Sequence, residues 1–212
     1  NALLLRGMVQ DVKLTYARPK LEQIVSLLRR SDLFWLYASI FCLFFVFAAL
    51  MNFLPFEMKR LHPQSGETGI GLQYLGYSMG LVVSLNSRTI LRRVGSETNA
   101  IALGILVFGL GTIFFYIENY LVMFAAMFVF CAGLFTAHSQ LSGFANKIAE
   151  ENKAIANGLY ISFYYTGGTF GSVLPGAVYE YYGWNGFVTF LLLMISVAFV
   201  FNNRLKQAVR SR

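Results

Sequence analysis

Six stretches of this chain, 33–56, 69–87, 99–117, 120–143, 154–179 and 184–201, have no Asp, Lys or Arg in their interiors. The hydrocarbon core of a bilayer is about 30 Å thick and a helix rises about 1.5 Å per residue, so about 20 apolar residues cross it. Lipid offers no partner to an unpaired backbone amide, which makes helices the form such runs take. They are too long and continuous for the short alternating strands of a barrel. The expected fold class is an all-α membrane protein with six transmembrane helices. Composition agrees, because 57% hydrophobic and only 13% charged residues leave too few polar side chains to cover a water-soluble surface.

The separators carry turn and charge signals. The stretch 59–68 holds Pro63 and Gly66, 88–98 holds Gly95, Glu118 and Asn119 make a short connection, and Tyr182-Gly183 forms a turn. A net charge of +7 raises nucleic acid as a partner for a soluble chain, but here the cations cluster at the flanks of apolar runs, which excludes that reading. If both termini face the cytoplasm, only Lys59 and Arg60 of the 17 basic residues lie on the far side. That asymmetry is the signature of cytoplasmic loops, and it predicts a multi-pass protein of the cell inner membrane with both termini cytoplasmic.

Three regions are expected: a cytoplasmic linker over 1–30, a transmembrane bundle over 31–203 and a basic cytoplasmic tail over 204–212. In the linker, Leu21, Ile24, Leu27 and Leu28 recur at helical spacing ahead of Arg29 and Arg30, the pattern of an amphipathic surface helix or of a partly helical linker. The chain opens on Asn1, with charges through to Arg30 and no signal-peptide order, and is expected to begin within a longer protein. Cys42 and Cys131 sit alone in apolar runs, so no disulfide framework, metal site or cofactor is expected.

Polar side chains inside lipid belong where a bundle interior or a watery cavity receives them. The runs 99–117 and 184–201 are nearly featureless and read as peripheral. The second run places Gln73, Tyr77, Gly80 and Ser84 on one face, and the fifth does the same with Asn157, Tyr160, Tyr164, Gly168 and Ser172. The fourth offers Thr136, His138, Ser139, Gln140 and Ser142, and the first Tyr37 and Asn52. These four helices are expected to surround a cavity, with Asn52, Gln73, Tyr77, Thr136, Gln140, Asn157, Tyr160 and Tyr164 as candidate substrate-binding residues. The alternative for any one of them is a hydrogen bond between packed helices. The pairs Gly76/Gly80 and Gly167/Gly171 allow close backbone approach, and Pro175 removes one backbone hydrogen bond. His138 is the one histidine within a run and the candidate for carrying a coupling proton; a boundary hydrogen bond is the alternative.

The stretch GLYISFYYTGGTFGSVLPGAVYEYYGW, 158–184, resembles the eleventh helix and following loop of major facilitator superfamily transporters, the bacterial drug and sugar efflux branch in particular. The tyrosine pair, the spaced glycines and the closing Gly-Trp carry the likeness. The region 80–95 resembles a degenerate second copy of the superfamily's cytoplasmic loop motif, in which Arg93 and Gly95 match its Arg and Gly. Arg88 and Arg92 stand where Gly and Asp are usual, and Ser96 and Glu97 replace the trailing basic pair.

The resemblance implies the carboxy-terminal six-helix half of a secondary transporter, whose seventh, eighth, tenth and eleventh helices line the cavity. It implies Arg88, Arg93 and Gly95 as a gating loop, an amino-terminal six-helix half as partner, and proton-coupled efflux of a small organic solute by alternating access. A half-size carrier that pairs with itself is the rival within transport. A membrane enzyme is the rival outside it, but the nearest grouping, His138 with Ser139 and Ser142, lacks an orienting acid.

Overall fold

The structure, a computed structural model, describes residues 20–211 other than Ser65. Most of the expected linker, 1–19, lies outside the described residues. A short helix α1, Leu21–Arg29, buries Leu27 and leaves Leu21 exposed. It is followed by α2 (Ser31–Leu61), α3 (Glu67–Leu72), α4 (Ser78–Val94), α5 (Glu97–Ile113), α6 (Tyr120–Ile148), α7 (Lys153–Val173) and α8 (Pro175–Arg210). A 3-10 segment, Gln73–Tyr77, joins α3 to α4, and another, Phe114–Tyr116, extends α5. The N-termini have local causes: the Ser96 side chain accepts from Asn99 N–H, and Asn119 Oδ1 accepts from Leu121 and Val122 N–H at 3.0 and 3.2 Å.

α7 does not stop at Val173. Leu174 keeps helical dihedrals, and the interruption there is Pro175, which has no N–H to give the carbonyl one turn back. The path breaks instead at Gly183, whose φ of 66° and ψ of −170° suit glycine alone. Beyond the short α1, the described residues therefore form six helical rods: 31–61, 67–94, 97–116, 120–148, 153–182 and 184–210.

Among the described residues, four helices are long and apolar enough to cross a membrane: Ser31–Leu61, Glu97–Tyr116, Tyr120–Ile148 and Pro175–Arg210. The expected runs 69–87 and 154–179 are not among them, for a physical reason. The first is cut by the 3-10 segment at Gln73, and the second carries its polar residues and glycines within α7. Both pack into the same bundle.

The rod α2 is the hub, buried along most of its length from Leu33 to Met58 and packed against α6, α7 and α8. Lipid tails are as apolar as leucine, so helices associate in a membrane through close packing rather than the hydrophobic effect. Gly167 and Gly171 supply it: a Cβ at either would collide with the backbone of Phe41 or Phe45. Tyr37 donates to the Ala156 carbonyl near the start of this contact, and Asn52 reaches Ser172 near its end, so α2 and α7 run side by side in the same direction.

Bonds also define the two ends. At one, Arg30 donates to the Ile148 carbonyl, Lys147 pairs with Glu97, and Lys206 donates to Asn99. At the other, the end of α2, the 117–119 connection and the Gly183 break meet, with Trp184 Nε1 donating to the Phe115 carbonyl at 2.7 Å.

Candidate solute site and its aromatic wall

Four rods bring rings together midway through the bundle. From α2 come Phe44 and Phe47, from the 3-10 segment Tyr77, from α6 His138, and from α7 Tyr160 and Tyr164. The Tyr164 ring stacks on Phe44 with centroids 3.5 Å apart, and it also neighbours Tyr165 at 5.1 Å and His138 at 5.3 Å. Phe47 carries the chain onward, 5.6 Å from Phe44 and 5.3 Å from Tyr77. Tyr77 is exposed and Tyr164 half-buried, so this wall offers accessible π-faces and hydroxyls.

The His138–Tyr160 contact has defined proton logic. Tyr160 Oη lies 2.8 Å from His138 Nδ1 and 3.3 Å from the His138 carbonyl oxygen. A hydroxyl has one proton. Both contacts are satisfied when Tyr160 donates to the carbonyl and accepts from Nδ1–H. That tautomer leaves Nε2 as the basic atom, able to take up and give back a proton while the Tyr160 bond persists.

The remaining candidates fall into two groups. Asn52 is exposed and donates to the Ala48 carbonyl at 2.7 Å and to Ser172 Oγ at 3.1 Å. Asn157 is half-buried in the second turn of α7. Thr136 is buried and bonds back to the Ala132 carbonyl, and Gln140 ties α6 to α4 by donating to the Ser87 carbonyl at 3.1 Å. Gln73 is only 2% exposed, with Nε2 3.9 Å from Met58 Sδ and Oε1 unbonded among the described residues. Arg88 and Arg93 are exposed on α4, which Gly95 ends with a φ of 86°.

The sequence reading missed a charged cluster at the end holding the Gly183 break. Glu57 is fully buried, takes two bonds from Arg60 at 2.6 and 3.0 Å, and accepts one from the Tyr179 hydroxyl at 2.9 Å. Arg60 reaches across to Glu118 at 2.9 Å. The available signal was the i, i+3 pairing of Glu57 with Arg60 in the last turns of α2. Phe44 and Phe47 were missed because an apolar ring facing a cavity reads the same as one facing lipid.

The family model of the Major Facilitator Superfamily matches residues 36–210. The Inner membrane transport protein YnfM of Escherichia coli K12 is 34% identical over 79 residues, 37% of this chain and 19% of that protein. An uncharacterized transporter of Buchnera aphidicola subsp. Baizongia pistaciae is 24% identical over 162 residues, 76% of this chain and 40% of that protein. The uncharacterized MFS-type transporter YybF of Bacillus subtilis 168 is 32% identical over 97 residues, 45% of this chain and 24% of that protein. The chain thus spans less than half the length of the curated relatives it matches. The POT family transporter PepTSo, crystallised in meso, shares the fold with a TM-score of 0.70 at 19% identity, over 82% of this chain and 37% of that one.

Proposed function

Because the chain belongs to the Major Facilitator Superfamily, whose members are membrane transporters rather than enzymes, we propose that it is the carboxy-terminal half of a secondary transporter that exports a small organic solute in exchange for protons. The rods 31–61, 67–94, 120–148 and 153–182 face the route, and an amino-terminal six-helix half closes it from the other side. Two bundles rocking about a central site give alternating access.

The observation that carries this reading is the accessible aromatic wall built on four different rods, with a titratable imidazole behind it. Tyr77 and Tyr164 hold the solute by ring contact, with Asn52 and Asn157 toward its two ends. Gln73, Thr136, Gln140 and Tyr160 bear on the site by fixing the helices, and His138 takes the coupling proton at Nε2. Exposed Leu75, Leu81 and Leu85 on one rod, and Ile161 and Tyr165 on another, support an apolar partner surface there. The end of α4 bearing Arg88 and Arg93, with Gly95 terminating it, gates the route. The cytoplasmic placement of the basic end rests on its cations, and the name of the Escherichia coli relative supports the inner membrane.

Proteoliposomes holding the full-length gene product test this with a solute panel and an imposed proton gradient. Saturable, solute-selective flux that follows the gradient is the expected result. Flux that neither saturates nor responds to the gradient contradicts it.

A further inference from the structure

Where α2 begins and α8 finishes, a pocket of about 540 Å³ opens at the basic end of the bundle. Its walls include Arg30, the residue that caps the start of α2, Asp32 and Trp35 from α2, Arg204 and Gln207 from α8, and Ser211, which caps the end of α8. The volume lies in the range of small-ligand sites, and nothing in the transport reading uses it.

The two arginines differ. Arg30 is fixed, donating from Nε and Nη2 to the Asp32 carboxylate at 3.3 and 3.0 Å and from Nη2 to the Ile148 carbonyl at 2.6 Å. Its charge is offset by that carboxylate. Arg204 is exposed and has no acidic partner among the described residues. The pocket therefore holds a net positive charge, with the Gln207 amide as a further donor, while the Ser211 hydroxyl already donates to the Ala208 carbonyl at 3.1 Å. Trp35 forms an aromatic shelf beside it, its ring 5.2 Å from Phe34 and 5.4 Å from Phe201.

We propose that this pocket binds a phosphate group, carried by an anionic phospholipid headgroup or by a soluble phosphate ester. A guanidinium presents paired donors that match phosphate oxygens, and Arg204 has its fork available. Basic pockets between membrane helices suit anionic headgroups, and a tryptophan at the apolar–polar boundary suits the glycerol region below them. A phosphate held there bridges the first long rod to the last and stabilises the contact between them. The inference is independent of the transport assignment.

The test uses the full-length gene product and two probes. Native mass spectrometry counts phosphatidylglycerol retained against phosphatidylcholine in mixed nanodiscs, and calorimetry follows glycerol 3-phosphate. Arg204→Gln is expected to weaken the bound probe by about fivefold, and Arg204→Glu by more. Arg210→Gln removes the same charge from α8 outside the pocket and is expected to change neither probe. An effect on phosphatidylglycerol alone makes the lipid the source, and an effect on glycerol 3-phosphate alone makes a soluble ester the source. If neither probe distinguishes the parent from Arg204→Glu, or if Arg210→Gln weakens binding as much as Arg204→Gln, the proposal is overturned. Exposed Arg204 tolerates substitution, and an unchanged unfolding midpoint in detergent verifies it.

Discussion

The hydroxyl of Tyr160 on α7 stands 2.8 Å from Nδ1 of His138 on α6, and 3.3 Å from that residue's own carbonyl oxygen. One phenol thus fixes both the ring and the backbone of the histidine. Tyr160→Phe is expected to cost about 1 kcal/mol of stability by leaving these partners unbonded. In flux assays the rate between about pH 5 and 8 is expected to lose its pH dependence in His138→Ala and to change its shape in Tyr160→Phe. A His138→Ala profile superimposable on the parent removes the histidine from coupling.

Tyr164 meets solute through its ring. Tyr164→Ala is expected to raise the KM by about three- to tenfold, the worth of one aromatic contact, whereas Tyr164→Phe stays near the parent. Initial rates over a solute concentration series separate the two.

Gly171 sits where a Cβ would collide with the Phe45 carbonyl of α2. Gly171→Ala is expected to destabilise the bundle by about 1–3 kcal/mol through overpacking, seen as a lower unfolding temperature in detergent. Gly158→Ala, on the same helix with nothing within 4 Å, serves as the neutral control.

Much of the fold was legible because bilayer thickness dictates helix length, and a run such as 120–143 has no other way to satisfy its backbone. The glycine pair 167/171 was legible as a close-approach signal, and the structure supplies its partner in Phe41 and Phe45. The polar stripe was legible as a stripe, but not the split within it. Tyr77 stays exposed while Gln73, one helical turn earlier, is sealed against Met58, because the 3-10 winding of 73–77 changes the angular step that an α-helical reading assumes. Glu57 was hidden for another reason: its burial depends on Tyr179, 122 positions away in the chain, and no local pattern carries that information.

The Glu57 cluster gives a further prediction. Arg60→Met leaves a fully buried carboxylate with, among the described residues, only the Tyr179 hydroxyl to serve it. It is expected to cost about 1–3 kcal/mol. The double variant Glu57→Gln/Arg60→Met is expected to recover part of that, because the uncompensated charge is gone. Chemical unfolding of both variants in the same detergent measures the difference.

Water access at the aromatic wall tests the account most directly. With single cysteines on a cysteine-free parent, Tyr77→Cys and Tyr164→Cys are expected to react with a membrane-impermeant maleimide and to be protected by transported solute. Leu106→Cys and Leu193→Cys, on the exposed apolar flanks of the rods 97–116 and 184–210, are expected to stay unmodified. Tyr77 and Tyr164 positions that remain inert from both sides of the membrane contradict a solute route along this wall.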